Sequence, residues 1–203
     1  MTWIIIIITC ITSLLALNRR DVFRSMAFHP SAIRYSNQYY RFFSYALIHA
    51  DLMHLGVNMF VLYSFGNAVE QYFNIFLGPK GSFFYVLLYL GGILFSTLPS
   101  YGQHKDNPAY SAVGASGAVS AVVFSSIVFN PLGGMGLLFL PFVMPAVVFG
   151  LLYLVLSAYM ARKGQDNIGH DAHFWGAVYG LVFTIAVEPQ LFTMFIERIK
   201  LLF

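Results

Sequence analysis

Six long apolar runs lie between Trp3 and Val187, and they carry almost no charge. A helix of ~20 apolar residues matches the hydrocarbon thickness of a bilayer. Only 9% of the 203 residues are charged, where a soluble domain has about 25%. So few charges cannot cover a globular surface, so the solvent of this chain is largely lipid. Alternating polar and apolar strand patterns are absent, which argues against an outer-membrane barrel. The length allows roughly five to seven helices plus loops, hence one compact bundle with no second soluble domain. The expected fold class is all-α, a polytopic membrane protein with six transmembrane helices.

The expected spans are about 3–17, 54–73, 83–98, 116–129, 141–160 and 172–187. The first run has no Lys or Arg before it and Arg19-Arg20 after it. A cleaved signal peptide has the opposite order, so a retained helix is expected. Residues 18–45 mix five arginines with many aromatic rings and read as an interfacial loop. Pro99 is expected to end the third span, Asn130-Pro131 the fourth and Glu188-Pro189 the sixth. Residues 191–203, with Glu197, Arg198 and Lys200 among apolar positions, suit an amphipathic helix on the membrane surface. The lone Cys10 cannot form an internal disulfide. The net charge of +3 is small and has no aromatic stacking platform beside it, so no nucleic-acid partner is expected. No internal repeat is evident.

Polar side chains at membrane depth are costly and are functional candidates by default. Three groups qualify. His54 and Asn58 share one helix face at i, i+4, with His49 in the turn before them. A structural reading makes them hydrogen-bonding glue between helices. Ser116 sits between Gly114-Ala115 and Gly117 at the start of the fourth run, with Ser120 one turn on. Gly117 and Ala121 could equally serve only close helix packing. His170 and His173 open the sixth run, ahead of the Gly176 and Gly180 pair. His173 could be a satisfied structural histidine on that close-contact face.

Taken together the groups are more specific. Spans two, four and six run in the same direction in an alternating bundle, so their N-terminal ends share one side. A serine and a histidine meeting there supply a nucleophile and its base. His54 and Asn58 supply donors for an oxyanion. No carboxylate has a spacing that ties it to His173, so a Ser-His dyad is expected. His49 and His54, at i, i+5, are poorly spaced as ligands on one helix, and the H-E-x-x-H pattern is absent. No metal and no cofactor are expected.

With these residues in place, the chain resembles the rhomboid intramembrane serine proteases, of the bacterial six-helix core type. Gly114-Ala115-Ser116-Gly117 is similar to the family's G-x-S-G motif on the fourth helix. Ala172-His173-Phe174-Trp175-Gly176, continuing to Gly180, is similar to its A-H-x-x-G-x-x-x-G motif on the sixth. His49, His54 and Asn58 match H-x4-H-x3-N on the second, and Gly66 to Glu70 its G-x-x-x-E end. The resemblance implies a catalytic Ser116 and His173 with His54 and Asn58 as oxyanion donors. Gly114, Gly117, His49, Ser120, His170, Gly176 and Gly180 are the expected supporting residues. Three positions depart from the family. Ser120 stands where members often carry a tyrosine that packs on the histidine. His170 stands where an asparagine is frequent, and Tyr40-Arg41 replaces Trp-Arg.

The expected activity is therefore endopeptidase cleavage of transmembrane or membrane-proximal segments, through an acyl-enzyme. The partners are transmembrane protein substrates and the bilayer, and the expected location is a cell membrane, multi-pass, plasma or inner if bacterial. The resemblance implies cytoplasmic termini and an active site opening outward. Counting Lys and Arg alone would instead put the Arg-rich first loop in the cytoplasm. A non-catalytic rhomboid-like protein that escorts client helices is the alternative. A transporter is a third reading, disfavoured by the absence of an inverted repeat.

Overall fold

A computed structural model describes residues 1–136, 142–163 and 169–202. The chain is mostly helical. Among the described residues six helices have 14 residues or more: α1 (Thr2–Asn18), α5 (Leu52–Leu77), α6 (Gly81–His104), α7 (Ser116–Phe129), α8 (Ala146–Lys163) and α9 (His170–Val187). The loop after α1 is itself helical, with α2 (Arg20–Met26), α3 (Pro30–Ser36) and α4 (Arg41–Ser44). A last helix, α10 (Gln190–Ile199), bends by 116° away from α9.

The outer surface confirms a membrane protein. Trp3, Ile4, Ile7, Ile8, Ile11, Leu14 and Leu15 all face outward from α1, and Leu151, Leu152, Val155 and Leu156 from α8. In water such continuous apolar faces would drive association. By length and composition, α8 and the stretch Leu52–His104 are able to cross a membrane, and the bent α9–α10 pair qualifies if taken as one. Helices α1 and α7 are apolar but shorter, at 17 and 14 residues.

Several expected boundaries are corrected. Pro99 does not end the third helix, which runs on to His104. In the turn before Pro99, the hydroxyls of Tyr45, Ser96 and Thr97 donate to the Ile93 carbonyl, and Thr97 also to that of Leu94. These bonds lie just before the Phe95 carbonyl, the one that Pro99 leaves without its helical donor. The fifth helix begins at Ala146, not at 141. Position 141 lies outside the described residues, and β2 (Val143–Pro145) pairs antiparallel with β1 (Gly134–Gly136), Met135 opposite Met144. The 18–45 segment is three short helices, not a plain loop. Its Arg41 is buried and donates to the carbonyls of Arg24 and Ala27, which ties the segment together from inside.

The centre is α7. Every residue from Gly117 to Phe129 is buried, so this helix has no lipid-facing side. It is small enough to be enclosed because Gly, Ala and Ser occupy its contact faces. A methyl on Gly176 would overlap the Gly117 carbonyl oxygen, and one on Gly180 that of Ala121. A methyl on Gly92 of α6 would lie 2.9 Å from the Ala121 methyl and 3.0 Å from Ala118 Cα. Glycines thus let α6, α7 and α9 touch backbone to backbone.

Candidate active site

Ser116 is the first residue of α7, and it is half-buried. The turn that presents it is stitched to the preceding segment at three positions. Phe28 and Ala112 exchange backbone hydrogen bonds of 2.9 and 3.1 Å. The Gly114 N–H donates to the Tyr45 carbonyl at 3.0 Å, and the Ala115 N–H to His49 Nε2 at 3.3 Å. Gly114 has φ +115, a conformation open to glycine and strained for other residues. It also leaves space for His54, because a methyl at Gly114 would lie 2.6 Å from His54 Cε1 and 2.9 Å from Nε2. The His54 imidazole therefore lies directly on the nucleophile turn.

His49 is fully buried. Its Nε2 accepts from Ala115, so the neutral ring carries its hydrogen on Nδ1 and donates to Ser13 Oγ at 2.9 Å. Ser13 in turn donates to the Leu47 carbonyl at 2.9 Å. The chain Ala115–His49–Ser13–Leu47 pins the turn to α1. The His49 and His54 rings meet edge-on at 4.9 Å. Burial, with His54 adding to it, pushes the His49 imidazole down to about 3.

Asn58 is buried one turn deeper on α5 and donates one carboxamide hydrogen to the His54 carbonyl at 2.9 Å. An amide nitrogen has two hydrogens, so one is left to serve the site. Asp51 caps α5, accepting from the His54 N–H at 2.7 Å. These bonds order the first turns of α5 itself.

The start of α9 completes the cluster. The Ala172 carbonyl lies 3.3 Å from the position of a Gly117 methyl. The first turns of α7 and α9 are therefore adjacent, and they carry Ser116 and His173. His173 is half-buried and stacks with Tyr153 of α8, ring centroids 6.3 Å apart and planes 27° apart. His170 meets His173 edge-on at 6.0 Å. Asp171 turns away and accepts a hydrogen bond from Ser100 of α6. Gly176 and Gly180 hold the seam with α7. Ser120, one turn on from Ser116, bonds the Tyr153 hydroxyl at 2.7 Å.

His54, Ser116 and His173 thus lie in the first turns of α5, α7 and α9, with Asn58 and Ser120 a turn further in and Gly180 mid-helix against Ala121. The N–H groups of the first turn of α7 have no acceptor within the helix and concentrate positive potential at Ser116. That end favours a developing oxyanion. Among the described residues no group of three His, Cys, Asp or Glu side chains is arranged to hold a metal ion. The role of Tyr153 escaped the sequence reading. Tyr153 was one of several aromatic residues on the fifth span, and the serine at 120 was the only signal that another ring holds His173. His49 was legible as part of a pattern, but its bond to Ala115 was not.

The chain is similar to known proteins over much of its length. Residues 36–190 match the family model described as Rhomboid domain. RHOMBOID-like protein 12, mitochondrial, of Arabidopsis thaliana is 28% identical over 153 residues, 68% of this chain and 43% of that protein. Rhomboid-related protein 1 of Caenorhabditis elegans is 29% identical over 165 residues, 79% of this chain and 43% of that protein. Presenilin-associated rhomboid-like protein, mitochondrial, of Bos taurus is 29% identical over 135 residues, 66% of this chain and 34% of that protein. The chain spans less than half the length of these curated relatives.

Proposed function

This chain belongs to the rhomboid family, and from that premise we propose that it is an intramembrane serine endopeptidase, with residues 1–203 forming one six-helix membrane domain. The observation that carries the reading is the glycine seam between α7 and α9, which sets the turn of Ser116 beside the turn of His173. Ser116 Oγ attacks the scissile carbonyl of a membrane protein while His173 takes the hydroxyl proton. The oxyanion is received by His54, by the second hydrogen of Asn58 and by the Ser116 N–H. His173 returns the proton to the leaving amine, the C–N bond breaks and an ester to Ser116 remains. Water then attacks that ester with His173 again as base, releasing the acid and restoring the serine. Half-burial of Ser116 and His173 leaves a route for that water.

The substrate must present an unpaired backbone carbonyl. A regular helix hides its carbonyls, so the preferred segments contain helix-weakening residues. The resemblance adds a small residue before the cut. The protein is multi-pass. Its resemblance to bacterial members favours a plasma or inner membrane, whereas two of the relatives described above are mitochondrial by name, and cell fractionation decides between these membranes.

The test uses the purified chain in detergent with a model transmembrane substrate. Cleavage is expected from the unmutated protein, and Ser116→Ala and His173→Ala should fall to background. Losing one oxyanion donor, as in His54→Ala, should lower turnover ~10²–10³-fold. If the unmutated protein does not cleave but retains a client helix on a column, the escort reading replaces this one.

A further inference from the structure

We infer that Tyr153, fixed by its hydrogen bond to Ser120, is the positioning residue for the His173 imidazole. The inference rests on the protease reading above and extends it to a helix that carries none of the reacting groups. A general base works only while its nitrogen stays aimed at the nucleophile, and an imidazole on a helix can turn about two side-chain bonds. A flat ring stacked on one face removes much of that freedom. Tyr153 provides such a ring, 6.3 Å from His173 and 27° from parallel. The tyrosine is itself held. Its hydroxyl bonds Ser120 Oγ at 2.7 Å, and Phe124 packs against it with centroids 5.6 Å apart.

Ser120 belongs to α7, the helix that carries Ser116. The nucleophile's own helix therefore sets the ring that sets the base. The route is closed: Ser116 to Ser120 along α7, across to Tyr153, then to His173. A tyrosine at position 120 would meet the base directly from α7. Here a serine at 120 leaves room for a ring delivered from α8 and supplies the bond that orients it. Few residues of α8 are buried, namely Ala146, Gly150 and Ser157. Ser120 thus gives α7 a polar contact with α8 at the ring that stacks on the base.

The test measures cleavage kinetics of the full chain and its variants in detergent, with size-exclusion elution and melting midpoint recorded for each. Tyr153→Ser should lower kcat about 10–100-fold with KM within about twofold, as expected for a misaimed catalytic group. Tyr153→Phe and Ser120→Ala are conservative. Each should lower kcat about threefold, and the double variant should be no slower than either. The reciprocal swap, Tyr153→Ser with Ser120→Tyr, should recover at least about tenfold over Tyr153→Ser, since it restores a ring beside the base. Unchanged kcat in Tyr153→Ser, or a swap no faster than that variant, overturns the inference. No cleavage by the unmutated protein ends the protease reading instead. The inference is then decided in crystals of Tyr153→Ser: a reoriented His173 ring supports it and an unmoved ring overturns it.

Discussion

His49 serves two partners at once, the Ala115 N–H and the Ser13 hydroxyl, and it can do so only as a neutral ring. Protonation would put a hydrogen where Ala115 donates. Folding therefore holds this imidazole at about 3, with burial as the main cause, whereas a free histidine titrates near ~6.5. The sign follows from which state takes up the proton. Below pH ~6.5 the unfolded chain binds a proton that the folded chain refuses, so stability falls as pH drops from about 6.5 towards about 3. Each pH unit in that window removes at most about 1.4 kcal/mol per such group. Melting midpoints in detergent should therefore fall between pH 7.5 and 4.5. His29, also lowered by burial, adds to the slope with the same sign. His49→Gln should flatten the slope, and an equal slope in that variant would assign it to another group. The sequence reading found His49 through its spacing from His54 and Asn58. It could not find Ala115 as its partner, because 66 residues separate them and nothing local to either position records the bond.

At the scale of helices, the seam between α7 and α9 admits no methyl. Gly176→Ala would drive its new carbon into the Gly117 carbonyl, and Gly180→Ala into that of Ala121. Backbone cannot swing aside as a side chain can, so the helices must part. Overpacking of this kind costs about 1–3 kcal/mol or more. The first turns of α7 and α9 would move with it, so cleavage by Gly176→Ala should fall further than its melting midpoint implies. Gly56 and Gly102 are helical glycines with open space around them. Gly56→Ala and Gly102→Ala should leave both readouts near the unmutated values. The G-x-x-x-G spacing made the seam legible on one helix, and the limits of α7 were legible from Gly114-Ala115-Ser116-Gly117 and Asn130-Pro131. Other limits were not. A proline reads as a stop, yet α6 runs on through Pro99 to His104. The helices within 18–45 were hidden because they are short and are held by Arg41 and by packing, not by their own periodicity.

For the molecule as a whole, the N-terminal ends of α5, α7 and α9 converge on one side, which fixes the opening of the site relative to both termini. We expect cytoplasmic termini and an outward site. A reporter fused after Phe203 should be active in the cytoplasm, and one placed within 100–110 should be active outside. A C-terminal reporter found outside reverses the orientation. The apolar runs made the bundle legible, whereas orientation was not, because the Arg-rich first segment is folded into the structure and its charges do not behave as a loose flank. The enclosure of α7 also bears on how the protein is made. At 1.5 Å per residue its 14 residues extend about 21 Å, short of the ~30 Å hydrocarbon core. It meets helices on every side and lipid on none. The α9 face of that enclosure is synthesised after α7, so α7 reaches its enclosed position only once α9 has emerged. A half-synthesised chain therefore has no paired serine and histidine, and newly inserted neighbours are safe from it until its own assembly is finished.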